Sequence, residues 1–194
     1  MPNPLYDQLF GKHSEKETPF LYLSNGTEIS HVRFLEMAAR IAHVLTALGV
    51  QAGDRVAAQI EKSPEALALY AACVQSGAVF LPLNTAYTQD ELTYFIENSG
   101  AALMVCDPRH HEGLLPIVEP LGTRLETLDA AGGGTLMTQA ARMEPSYPTV
   151  DRAADDLAAF LYTSGTTGRS KGAMLTQRNL LSNAETLVDI WKFT

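Results

Sequence analysis

The residues best suited to chemistry lie in one run, Tyr162-Thr163-Ser164-Gly165-Thr166-Thr167-Gly168-Arg169-Ser170-Lys171-Gly172. Gly165 and Gly168 let the backbone turn tightly and aim N–H groups at an anion. Thr163, Ser164, Thr166 and Thr167 add hydroxyl donors, and Lys171 adds a mobile point charge suited to terminal phosphates. Many short donors plus one neutralising cation is what a phosphoryl ligand requires. The run is not a Walker A loop, G-x-x-x-x-G-K-[ST], which would need glycine at Ser170 and a hydroxyl residue at Gly172. It also returns into an apolar β-type run and does not open a helix, so a P-loop NTPase does not fit. A flexible Ser/Thr/Gly linker has a similar composition, but such linkers are rarely clamped between apolar β runs.

The elements around this run can be read from periodicity and punctuation. Two β-type runs, 20–23 and 27–29, flank Asn25-Gly26, a hairpin signal. Ser30 can cap a helix whose apolar stripe includes Phe34, Leu35, Ala38, Ile41, Ala42, Leu45 and Leu48, with Gly49 as its stop. Residues 55–60 read as a strand. Ser63-Pro64 then opens a helix to about Gly77, and 79–83 is the next strand. Thr88 and Glu91 form a capping box, so a helix runs from Gln89 to near Gly100. A strand at 103–106, a helix at 111–121, a strand at 124–128 and a helix at 136–143 follow. Apolar runs at 158–162 and 172–175 flank the loop, and Thr176 caps a last helix to about Trp191. The stretches 12–19 and 132–134 read as loops or weak structure. Alternating strand and helix predicts an α/β layered fold with a largely parallel sheet.

Composition narrows the partners. The 194 residues are 46% hydrophobic and 19% charged, ordinary for a globular chain. The net charge of −8 disfavours nucleic acid and means that a bound phosphate must be met by local positive charge. The two cysteines, Cys73 and Cys106, sit in apolar stretches and read as buried thiols of a reducing compartment. No signal peptide or membrane-length apolar run is visible, so the expected location is cytosolic.

The run from Tyr162 to Gly172 resembles the signature loop of the adenylate-forming superfamily, [YF]-T-S-G-[ST]-T-G-x-P-K-G, with one departure: Ser170 stands where proline is usual. Gly53-Asp54-Arg55-Val56, Ala68 to Gly77, Val79 to Asn84 and Glu91 to Asn98 resemble that family's N-terminal core in order and spacing, so the likeness extends from about Thr27 to Asn183. Within the superfamily the segments Glu61-Lys62-Ser63, Leu81 to Thr88, Val105 to Pro108, Asp155 to Ala159 and Arg169 to Met174 are similar to bacterial malonyl-CoA synthetases.

The resemblance implies two half-reactions. A carboxylate attacks the α-phosphate of Mg-ATP to give an acyl-adenylate and pyrophosphate, and the thiol of coenzyme A then displaces AMP. Thr163, Ser164, Gly165, Thr166, Thr167, Gly168, Arg169, Ser170 and Lys171 would hold the β- and γ-phosphates, with Thr163 a contact for Mg2+ and Lys171 the charge neutraliser. None of these is implied to be the catalytic residue, since the family's catalytic lysine lies near the far C-terminus of full-length members. The acid would be malonate or methylmalonate, with fatty or aryl acids as alternatives. Residues 1–194 would be the N-terminal part of an AMP-binding domain, an incomplete piece of its large layered α/β unit with unpaired edges and exposed apolar surface. A noncatalytic module with weak nucleotide binding is the alternative to the enzyme.

Other groups carry less. His110-His111 with Asp107 has no further ligands at zinc spacing and reads as a helix start. Asp155-Asp156 read as a solvated turn. Glu61-Lys62-Ser63 follows a strand end, where α/β folds place ligand contacts, though loop geometry explains it equally well. The aromatic and Met residues of the helices sit at core spacing and read as packing. The expected outcome for the isolated chain is no malonate-dependent ATP–pyrophosphate exchange, and detecting exchange would overturn it.

Overall fold

In the computed structural model, residues 3–163 and 170–192 are described. A short helix α1 (Pro4–Leu9) precedes a hairpin of β1 (Pro19–Tyr22) and β2 (Glu28–Ser30). Then follow α2 (His31–Ala47), β3 (Arg55–Gln59), α3 (Pro64–Ser76), β4 (Val79–Pro82), α4 (Gln89–Ser99) and β5 (Leu103–Cys106). The chain continues through α5 (His111–Val118), β6 (Arg124–Thr127), α6 (Thr135–Ala140), β7 (Leu157–Thr163), β8 (Lys171–Thr176) and α7 (Gln177–Trp191).

Local chemistry sets most of these boundaries. The side chains of Ser30, Ser63, Thr88 and Thr176 each accept a hydrogen bond from the third backbone N–H of the helix that follows. Thr88 and Glu91 complete the expected capping box, and Thr176 with Asn179 makes a second. Helices α3 and α4 stop at Gly77 and Gly100, whose positive φ values of 77° and 58° suit residues without a Cβ.

The main sheet has the order β6-β5-β3-β4-β7-β8. Five strands are parallel, and β8 pairs antiparallel with β7. Both faces are covered, as a parallel sheet demands. Val56, Ala58, Leu103 and Val105 point into a core shared with α2 and α3. Their neighbours Ala57, Met104 and Cys106 join Leu81 in a second core with Leu92, Phe95 and Ile96 of α4 and Leu114 and Val118 of α5. Successive residues of β3 and β5 thus serve opposite faces. Both cysteines are buried free thiols, as expected, and burial raises the pKa of each, that of Cys106 to about 12.

Several expectations are corrected. Helix α1 was not expected, although Asn3 caps it through the Tyr6 N–H and Pro4 opens it; long-range bonds then dock it. Asn3, 1% exposed, donates from Nδ2 to the carbonyls of Val74 and Val150 at 2.8 and 3.1 Å. Gln177 Oε1 accepts from the Leu5 N–H at 3.1 Å and ties α1 to α7. The stretch 12–19 begins inside a 3-10 turn, Gly11–His13. The helix expected over 111–121 ends at Val118 and passes into the 3-10 turn Glu119–Leu121, where Pro120 cannot donate to the helix ladder. The helix expected over 136–143 is the shorter α6. The strands around the loop are longer than expected. Strand β8 is the sheet's last strand among the described residues. The expected apolar exposure is seen nearby, at Met174, Val188, Ile190 and Trp191, each more than half exposed. No helix among the described residues is long and apolar enough to cross a membrane. Leu81, fully buried in β4, is expected to cost about 2–5 kcal/mol when changed to Ala, measured by urea denaturation.

Candidate phosphate-binding site

Strand β7 lies parallel to β4, with Phe80 opposite Ala159, so its carboxyl end faces the same edge of the sheet as the ends of β3, β4 and β5. Ligands of open α/β sheets bind at that edge. Strand β8 returns antiparallel in the register Phe160–Met174, Leu161–Ala173, Tyr162–Gly172 and Thr163–Lys171. The candidate loop therefore begins and ends at a paired set of residues, Thr163 facing Lys171, both exposed. The Thr163 hydroxyl donates to the Lys171 carbonyl at 3.4 Å. Of the expected site residues, Thr163, Ser170 and Lys171 are described and adjoin one another at the hairpin mouth. Ser164, Gly165, Thr166, Thr167, Gly168 and Arg169 lie outside the described residues. As expected, the described strand after the loop is not a helix N-terminus.

The base of the hairpin is held by aromatic side chains. Phe160 packs over Gly172 so closely that a Cβ there would fall 2.2 Å from the ring. The Tyr162 ring lies 4.2 Å from that of Phe95 in α4 and 5.3 Å from that of Phe160. Its hydroxyl donates to Asn98 Oδ1 at 2.7 Å and to the Phe95 carbonyl at 3.3 Å. Burial, and secondarily the neighbouring Tyr94 phenol, raises the Tyr162 pKa to about 12, so it stays a donor through the neutral range. Tyr94 donates from its hydroxyl to the Ser170 carbonyl at 3.1 Å. Sequence reasoning read these α4 aromatics as packing. Their spacing along the helix carries no sign of the hairpin that they meet in space.

The remaining polar groups have other partners. Asp107 caps the 3-10 turn Pro108–His110 and receives the Arg109 guanidinium on both oxygens, at 2.9 and 3.0 Å. The hydrogen bond from the Arg109 side chain holds its carboxyl below the ordinary range. Asp156 accepts from the Ala153 N–H and pairs with Arg152, and Asp155 pairs with Arg178, so this pair builds a turn as expected. Ser63 is spent as the cap of α3, while Glu61 lines a cleft of about 250 Å3 with Gln59, Thr85, Asp107, Arg109 and His110 at the carboxyl ends of β3 and β5.

The family model described as AMP-binding enzyme matches residues 11–194. Feruloyl-CoA synthase of an Amycolatopsis species is 37% identical over 164 residues, 81% of this chain and 30% of that protein. The structure of apo MatB from Rhodopseudomonas palustris superposes with a TM-score of 0.96 at 50% identity, over 100% of this chain and 38% of that one. The same protein solved with ATP bound gives a TM-score of 0.95. The chain thus spans about a third of the length of these two relatives.

Gly172→Ala is expected to splay the hairpin against Phe160 and to lower stability by about 1–3 kcal/mol. Pairing it with Phe160→Leu should recover part of that loss in thermal melts.

Proposed function

The chain belongs to the AMP-binding enzyme family, and from that premise we propose that it is the ATP-phosphate-holding part of an ATP-dependent carboxylate–CoA ligase. The observation that carries this reading is the β7–β8 hairpin. It presents Thr163 and Lys171 side by side at the carboxyl edge of the sheet, and the loop between them has the composition of a phosphate cradle. In this reading residues 1–194 are the N-terminal part of the AMP-binding domain, and the stretch from Thr163 to Lys171 holds the β- and γ-phosphates. The Thr163 hydroxyl oxygen is a hard donor of the type Mg2+ accepts, and it stands on the same mouth as the lysine.

A substrate carboxylate oxygen attacks the α-phosphorus of ATP. The bond to the bridging oxygen breaks, and pyrophosphate leaves with that electron pair. Negative charge grows on oxygens that face Lys171 and the loop donors, so prepositioned charge and dipoles there lower the barrier. The thiolate of coenzyme A then attacks the acyl carbon and expels AMP, leaving the thioester. Half identity with MatB, together with the segments similar to malonyl-CoA synthetases, favours malonate or methylmalonate as the acid. Two buried free thiols accord with a cytosolic location.

Pyrophosphate exchange by the full-length protein tests the reading with malonate, methylmalonate, acetate and benzoate. Malonate should give the highest kcat/KM. Exchange with benzoate or acetate but background turnover with malonate would sink the substrate assignment, and no exchange with any acid would sink the ligase.

A further inference from the structure

Helix α4 reaches the hairpin at both of its limbs. On the incoming limb it holds Tyr162 through Asn98 and Phe95. On the outgoing limb the Tyr94 hydroxyl donates to the carbonyl of Ser170, one residue before Lys171. That carbonyl and the Lys171 nitrogen share one planar peptide unit, so fixing the oxygen fixes the plane from which Lys171 departs. The Tyr94 ring is itself supported, 5.6 Å from the ring of Phe95 and 6.1 Å from that of Tyr162. Ser170 is also the position at which the loop departs from the adenylate-forming pattern, with serine in place of proline. A proline ring would lock φ at that residue, while serine leaves it to be held by something else.

We propose that Tyr94 is a positioning residue for the phosphate-holding lysine: its hydroxyl clamps the Ser170–Lys171 peptide and offsets the freedom that serine leaves where a proline ring would restrain the chain. The inference rests on the reading of the hairpin as an ATP-phosphate site. Tyr94→Phe removes the clamp and leaves the ring in place, so it separates positioning from packing.

The test is steady-state kinetics of the full-length protein with four variants: Lys171→Ala, Tyr94→Phe, Ser170→Pro and the Tyr94→Phe/Ser170→Pro double. Lys171→Ala should raise the KM for ATP or lower kcat by tenfold or more, on the order of one lost charged hydrogen bond. Tyr94→Phe should raise the KM for ATP about threefold to tenfold, the range of one neutral hydrogen bond, with the KM for the acid and for coenzyme A unchanged. In the Ser170→Pro background the same substitution should cost less than about twofold, because the ring already restrains the residue. If Lys171→Ala is damaging but Tyr94→Phe is silent, the clamp is wrong and the phosphate reading stands. An equal penalty for Tyr94→Phe in both backgrounds, or a rise in all three KM values together, would likewise overturn the clamp. If Lys171→Ala is itself silent, the phosphate reading fails and the clamp fails with it.

Discussion

A strand laid parallel to β4 must release its chain at the edge where β3, β4 and β5 also end, and β7 is that strand. The register then creates a difficulty. With Phe80 opposite Ala159 and β4 ending at Pro82, Leu161 is level with the end of β4, and Tyr162 and Thr163 run past it. On that side the last residues before the loop have no strand to lean on. Side chains of α4 fill the gap: Phe95 against the Tyr162 ring, Asn98 and the Phe95 carbonyl on its hydroxyl, and Tyr94 on the returning limb. Helix α4 is in turn fixed by its capping box at Thr88 and Glu91 and by Leu92, Phe95 and Ile96 in the core. The two limbs of the hairpin are therefore positioned by a chain of contacts that starts at the cap of one helix.

The charge of the chain places a second constraint on the site. A net charge of −8 repels a polyphosphate at long range, but physiological salt screens surface charges beyond about 8 Å. Within that distance the sign of the field is set by local groups. In the proposed phosphate site the sequence offers two cations for that purpose, Arg169 and Lys171, beside the hydroxyl residues of the run. The same logic explains why Arg109 is a poor substitute: its guanidinium is committed to Asp107 at the end of β5, with β3 and β4 lying between that strand and β7.

What could be read from the sequence follows from how local each cause is. Caps at Ser30, Ser63, Thr88 and Thr176 act within three residues, so each was legible, as were the glycine stops at Gly77 and Gly100. The strands that flank the loop were legible from their apolar runs, each observed to extend one residue further at either end than expected. The order of strands was not, because β3 takes neighbours from both later strands, β4 and β5. Helix α1 carries a local signal of the same kind, Asn3 capping through the Tyr6 N–H with Pro4 at the first helical position, and its six residues are too short for an apolar stripe to show. Tyr94 was not legible as a partner of the hairpin, because the bond joins residues far apart in the chain. Along α4 it is one more aromatic at core spacing, and only the fold brings its hydroxyl to Ser170, 76 residues away.

Magnitudes show why serine can stand where proline is usual. Proline at a compatible position stabilises by about 0.4–1 kcal/mol, chiefly by removing freedom from the unfolded chain. A neutral intramolecular hydrogen bond nets about 0.5–1.5 kcal/mol after exchange with water. The two devices are of one size but act on different torsions: the ring restrains φ of residue 170, and the tether at the Ser170 carbonyl restrains the peptide plane that follows. They differ in reach. A proline acts on its own residue wherever the hairpin goes, whereas the Tyr94 hydroxyl binds the returning limb to α4 and so to the core that also holds Tyr162. In this chain Tyr162 and Ser170, which flank the two ends of the loop with Thr163 and Lys171, are hydrogen-bonded to one helix.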